Sequence, residues 1–311
     1  MSTSESVLET IEQILEFLQT NFSARFTSYG ISHERVHSSD GGLTTVPALK
    51  PNFFFRGQTR AHPRLVPSLY HPFPELSAKT LSPQIVLQRE DKSHRVIATN
   101  PHYSWDFDRA FVFSRLKCIE VGELLRASFP AFPREVDAAA LCQHYGLPTP
   151  YMDFTEDLLV AAFFATHSLR SSGWEPCSTA NGVLYLIDVD AARTDEQLFY
   201  EIGYQPLPRP FAQKGSLFFV RHDLNMLSLP YVQCFGFVHN EIIARDIANK
   251  VGGQERLFPP DKFADLVESH RNDTYVKRDA IDLFLDEPTR PNRNERERRL
   301  LSLLAGIEIR D

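Results

Sequence analysis

The stretch Leu141-Cys-Gln-His-Tyr-Gly-Leu-Pro-Thr-Pro-Tyr-Met-Asp-Phe-Thr-Glu-Asp-Leu-Leu-Val-Ala-Ala-Phe-Phe-Ala165 decides how the chain is read. It sets an imidazole, a phenol, a tight turn, a carboxylate and a hydroxyl directly ahead of an apolar segment. Gly146 and Pro148 punctuate its first half. Tyr151–Thr155 reads as a short strand, and Thr155 as the N-cap of the helix that follows. Glu156 and Asp157 then sit in the first turn, where the helix dipole favours anions. Every residue from Leu158 to Phe164 is apolar, so this helix is expected to be buried on all sides. Polar groups at the start of a fully buried helix suit a site held on a rigid scaffold.

Working outward, Pro51–Arg60 carries three phenylalanines into Arg56, Gly57 and Gln58. It reads as a buried strand delivering an arginine at its end, with Gly57 allowing close approach of backbone or ligand. A guanidinium there needs a partner. That partner is either a carboxylate of the fold, such as Asp153, or a ligand phosphate. Further strands are expected at 183–189, 216–221 and 231–238, with helices over 107–129, 134–145, 240–250, 260–270 and 294–305. A first helix ending near Asn21 opens on the capping box Ser6–Glu9, and a helix is read at 83–99. Residues 22–50 read as an irregular connection or a loop over a pocket, 171–181 as a loop and 206–210 as a proline-rich loop.

The fold class expected is α+β: a small mixed sheet with helical insertions and helical N- and C-terminal regions. The division expected is an N-terminal helix and connection at 1–50, a core at 51–240 and a C-terminal helical region at 241–311 packed on it.

Composition narrows the function. The chain has 311 residues, is 42% hydrophobic and 23% charged, and carries a net charge of −7. That balance argues against broad electrostatic binding of nucleic acid but leaves room for a local basic groove. Four scattered cysteines without a CxxC pair fit a reducing cytoplasm and no zinc site. The histidines have no metalloprotease spacing, so no metal is expected. The acidic, amphipathic N-terminus does not read as a signal peptide, and no apolar run approaches the roughly 18 residues of a membrane span. Rossmann, P-loop and GxSxG signatures are absent.

Several separated pieces resemble the FRG domain family. Phe55-Arg-Gly-Gln58 matches the signature that names it. Gln143-His-Tyr-Gly-Leu-Pro-Thr149 and Met152-Asp-Phe-Thr155 are similar to its QHYGxPT and LDxT segments. Ala212-Gln-Lys-Gly215 resembles its AQxG element, and Leu257-Phe-Pro259 its late LFP segment, so the likeness runs from about 50 to 270. Pro150 stands where the family usually carries Arg.

The order of these pieces also resembles, more distantly, ADP-ribosyltransferases. That resemblance implies an ADP-ribosyltransferase-like sheet and NAD as substrate, without a metal. It implies an NAD contact at Arg56, flanked by Gly57 and Gln58, and a ribose contact at Thr155. Gln213 falls at the late catalytic position, which is usually a glutamate; Glu241 is the other candidate there. Asp153, with His144 and Tyr145, completes the catalytic set. A nucleotide substrate and a protein or nucleic-acid acceptor follow, in the setting of a toxin or defence effector. The other reading is a non-enzymatic module that binds a nucleotide, a nucleic acid or a protein partner. Without the resemblance, His144 and Tyr145 read as groups packing a helix end, and Asp153 as a partner of Arg56 or of the buried helix.

Overall fold

The computed structural model describes residues 10–26, 29–37, 43–70, 105–129, 138–178, 181–189, 199–202, 207–221, 224–271, 273–286 and 293–311. The capping box at Ser6–Glu9, the helix expected at 83–99 and the start of the one expected at 134–145 lie outside them.

In chain order come α1 (Ile11–Phe26), β1 (Tyr29–His37), β2 (Leu43–Pro51), β3 (Phe53–Gln58), α2 (Trp105–Ser128) and α3 (Ala138–His144). The middle holds β4 (Tyr151–Thr155), α4 (Leu158–Thr166), β5 (His167–Arg170), β6 (Gly173–Pro176), β7 (Asn181–Asp188) and β8 (Phe199–Ile202). Next come α5 (Pro208–Ala212), β9 (Gly215–Val220), β10 (Val232–Val238), α6 (Glu241–Val251), α7 (Gln254–Leu257) and α8 (Lys262–Arg271). The chain closes with β11 (Tyr275–Lys277), α9 (Arg278–Leu285), α10 (Arg293–Leu303) and β12 (Glu308–Arg310).

The fold is mixed α and β. Its main sheet runs β10-β7-β3-β4-β9-β8-β1-β2. The five strands read from the sequence stand side by side at one end of it, all antiparallel. The sheet is larger than the small one expected, because residues 22–50 are not an irregular connection. They continue α1 to Phe26 and then form β1 and β2, paired antiparallel from Tyr29↔Pro51 to His37↔Leu43. Thr44, Thr45 and Val46 are β-branched and suit a pleated strand. Counting Ser and Thr as loop residues hid that preference. The expected loop at 171–181 likewise holds β6, paired with β5, and the proline-rich loop holds α5 with a proline in its first turn.

Alternation along the strands gives the sheet two apolar faces. Phe53, Phe55, Leu184 and Leu186 join α4, α6 and the buried side of α1. Phe54, Met152, Phe154, Val183 and Tyr185 pack on the other side against Leu224, Met226 and Tyr231. Helix α4 is buried nearly throughout, as its all-apolar sequence requires. A Cβ on Gly57 would stand 1.9 Å from the Ala161 carbonyl oxygen. What approaches Gly57 closely is therefore the backbone of α4, and only a glycine lets strand and helix meet at that distance.

One feature of the register places the site. β3 pairs with β7 over six residues, from Phe53↔Asp188 to Gln58↔Val183, and β4 with β9 over five. Between β3 and β4 only Phe55↔Thr155 is paired. The two strands part there, and the main chain of β4 before Thr155 faces a gap.

Candidate active site

A cavity of about 680 Å³ opens at this gap. Its lining includes Arg56, Gly57, His144, Tyr145, Asp153, Thr155 and Gln213, so seven of the eight candidates share one space; Gln58 is not among the lining residues. By alternation Arg56 belongs to the Phe54 side of β3, opposite Asp153 and Thr155. The parting of the strands is what lets both sides reach one cavity.

Asp153 is the centre of the polar floor. Helix α3 ends at His144, and Gly146 turns the chain at φ 87°. The amides of Gly146 and Leu147 close back on the carbonyls of Gln143 and Cys142, a glycine C-cap. This turn leaves the last two side chains of α3 facing β4. Gln143 Nε2 donates to Asp153 Oδ2 at 2.8 Å, and His144 Nδ1 lies 3.2 Å from Asp153 Oδ1. That second contact is close enough to attract but is poorly aligned, and no hydrogen bond reaches Oδ1 among the described residues. Thr149 Oγ1 donates to Gln143 Oε1 at 2.7 Å, which turns the amide so that its NH₂ meets the carboxylate. Thr149 Oγ1 also accepts from the Tyr151 amide. The motif from Gln143 to Thr149 is thus a device for holding Asp153.

Burial alone would raise the Asp153 pKa. The contact with His144, the charge of Arg56 and the Gln143 hydrogen bond outweigh it and hold the carboxyl below the ordinary range, so it stays ionised. Arg56 Nη1 donates to the Asp153 carbonyl oxygen at 2.6 Å. This guanidinium caps a main-chain acceptor that β3 would satisfy if the strands stayed paired. Burial lowers the Arg56 pKa, and the Asp153 carboxylate pulls it back up. The Arg56 Nε and His144 Nε2 atoms are buried without a hydrogen-bond partner among the described residues.

The other candidates are tied to the scaffold. Thr155 Oγ1 donates to the Gln213 carbonyl at 2.7 Å and accepts from the Asp157 amide at 3.0 Å. Asp157, not Thr155, is the N-cap of α4, accepting from the amides of Leu159 and Val160. The run Thr-Glu-Asp offers two good caps, and the strand pairing of Thr155 leaves that role to Asp157. Gln213 Nε2 donates to the Leu257 carbonyl at 3.1 Å, so the Gln213 and Leu257–Pro259 segments fasten each other. The Tyr145 hydroxyl donates to Asp261, and its ring packs edge-on against Phe263. Glu241 lies in the first turn of α6, away from the cavity lining.

Sequence reading missed Arg209, Phe164, Trp174 and Phe258, which also line the cavity. Arg209 sits between prolines in a segment read as a loop. Its guanidinium stands 4.5 Å from the Tyr145 ring centroid and 5.6 Å from that of Phe258. A tryptophan in a predicted loop just after the buried helix was the only available signal for Trp174. Among the described residues no three His, Cys, Asp or Glu side chains gather as a metal site, and no helix is long and apolar enough to cross a membrane.

The class of protein is thus a mixed α and β fold whose sheet parts around a cavity with an ionised carboxylate at its floor. Residues 51–173 match the FRG domain model, and the chain carries that domain. The match supplies Arg56, the Gln143–Thr149 motif, Asp153 and Thr155, while Arg209, Gln213 and Phe258 come from beyond it. No curated protein and no solved structure matches the chain.

Proposed function

We propose that the cavity binds a nucleotide and that the chain is an NAD-consuming ADP-ribosyltransferase. The observation that carries this reading is the ionised Asp153, held by Gln143 and His144 beside two arginines in one cavity. When the bond between ribose C1′ and the nicotinamide nitrogen breaks, the electron pair leaves with nicotinamide and positive charge builds on the ribose. A fixed carboxylate stabilises that charge, as preoriented dipoles and charges do. The acceptor's nucleophile then bonds to C1′ and loses its proton, and Asp153, whose side chain is partly exposed, is the group placed to take it. Arg56 and Arg209 supply donors for the phosphates. Arg56 Nε, buried and unpartnered among the described residues, supports that role.

A second reading is favoured by one observation. Thr155 and Gln213, which the transferase resemblance assigns to ribose contact and catalysis, are already bonded to main-chain groups. This suits a non-enzymatic module that recognises a nucleotide, a nucleic acid or a protein partner. Incubating the protein with NAD and measuring released nicotinamide separates the two. The enzyme reading expects release that Asp153→Asn reduces at least about 100-fold. Nucleotide binding by calorimetry with no release from wild type would establish the binding module instead.

A further inference from the structure

Besides its polar floor the cavity has an aromatic wall built from three separate segments. Phe164 comes from α4, Trp174 from β6 and Phe258 from the residue after α7. Trp174 and Phe258 stack with ring centroids 5.1 Å apart and planes 17° from parallel. Phe164 meets both edge-on, at 5.5 Å and 6.0 Å. All three are only partly buried, although each joins the edge of the main apolar core.

The wall is held in place from outside. Gln254 Oε1 accepts from the Trp174 amide at 3.1 Å, so α7 pins the β5–β6 hairpin. Gly173, at φ 117°, makes the turn that brings the hairpin to Gln254; a Cβ there would meet the Gln254 side chain at 3.1 Å. The wall is also continuous with the charged floor. Phe258 stacks with Trp174 and also lies beneath Arg209, whose Nη1 reaches the His144 carbonyl at 3.4 Å. A ligand in the cavity therefore has aromatic rings, a guanidinium and the Asp153–Arg56 floor within one lining.

We infer that Trp174, backed by the stacked Phe258 ring and with Phe164 edge-on to both, forms a base platform, and that the ligand is a nucleotide whose planar base lies on it with its phosphate beside Arg209. A sugar phosphate or free pyrophosphate leaves this wall unused. The inference rests on the nucleotide reading of the cavity and adds which part of the ligand each wall takes.

The test is calorimetric titration with four probes: adenosine monophosphate, nicotinamide mononucleotide, ribose 5-phosphate and inorganic pyrophosphate. Stacking of a base on an aromatic side chain contributes enough that both mononucleotides should bind at least about tenfold more tightly than ribose 5-phosphate. Whichever of the two binds more tightly tells whether the platform takes adenine or nicotinamide. Trp174→Leu should remove about tenfold of mononucleotide affinity and leave ribose 5-phosphate unchanged. The chain has two tryptophans, so a Trp105→Phe background isolates the Trp174 emission, and the mononucleotides but not ribose 5-phosphate should quench it. Quenching does not need the Trp174→Leu variant to fold. Equal binding of all phosphate-bearing probes, with no quenching, overturns the platform but keeps the phosphate site. Failure of every probe to bind overturns both.

Discussion

At the scale of single residues, Arg56 has one observed task and one proposed task, which a single substitution can separate. Its Nη1 replaces a strand partner for the Asp153 carbonyl, and under the nucleotide reading its remaining donors meet a phosphate. Arg56→Lys keeps the charge and loses the planar fork. Losing the carbonyl bond should cost about 1 kcal/mol of stability, while losing a two-point phosphate grip should weaken nucleotide affinity about ten- to a hundredfold. Thermal melting and titration of the same variant read the two effects independently, and unchanged affinity would remove Arg56 from the ligand site. Two buried tyrosines set an alkaline limit. Burial, aided by the charge of Cys234 and opposed by that of Arg56, pushes the Tyr185 phenol up to about 12. Burial and then the Asp261 hydrogen bond raise Tyr145 further. An unfolded tyrosine ionises near ~10, so between these values the unfolded chain releases protons that the folded one keeps. Stability contributed by the neutral phenols is full below about pH 10 and declines as pH rises above it. Denaturant midpoints measured from pH 8 upward should show that decline, and Tyr185→Phe should shallow it.

At the scale of elements, the close approach of β3 to α4 makes Gly57 the most sensitive backbone position near the site. Gly57→Ala drives a methyl into the Ala161 carbonyl, and neither main chain can move without opening the core. The expected loss exceeds about 3 kcal/mol. Gly236→Ala on the edge strand β10 is the control, since nothing lies within 4 Å of a Cβ there. It should change stability by less than about 0.5 kcal/mol. Chemical denaturation of both variants checks the pair, and comparable losses would mean that β3 and α4 do not meet this closely. The same elements explain what was legible beforehand. Strands such as Val183–Ile187 announce themselves by unbroken β-branched and aromatic residues, and α4 by its unbroken apolar run. The floor was legible because Gln143, His144 and Asp153 are neighbours in sequence. β1 and β2 were hidden by polar residues at strand positions. Arg209 and Trp174 were hidden because each lies in a short element with no period to read, and Phe258 because it follows one; only the fold brings them into one cavity with Phe164. The parting of β3 from β4, which makes the cavity, depends on pairing between residues roughly a hundred positions apart and leaves no local trace.

At the scale of the whole molecule, the helical C-terminal region is joined to α2 through a buried cluster of charges remote from the cavity. Lys117 and Glu120, one turn apart on α2, are both nearly inaccessible. Lys117 Nζ reaches Glu120 at 2.9 Å and Asp273 at 3.3 Å, and lies 4.4 Å from the Tyr275 ring centroid. Glu120 Oε1 accepts from the Lys277 amide, so the pair also anchors β11. One ammonium thus balances two carboxylates out of water. Replacing a buried ion pair by apolar groups can be neutral, but removing one partner leaves the other charge unpaired at a cost of about 3–5 kcal/mol. Lys117→Ala should therefore lower stability by roughly that much, with little dependence on salt because the pair is shielded from counterions. Arg126→Ala, which breaks the exposed pair with Glu123 on the same helix, should cost less than about 1 kcal/mol. Urea denaturation at low and high salt compares the two. Nucleotide binding below the transition should survive Lys117→Ala, since no member of the cluster lines the cavity. If Lys117→Ala proves as mild as Arg126→Ala, the cluster is hydrated in solution, and α2 holds the C-terminal region through its apolar clusters, Leu116 with Val276, Ile281 and Leu300 and Val121 and Leu125 with Phe263 and Val267.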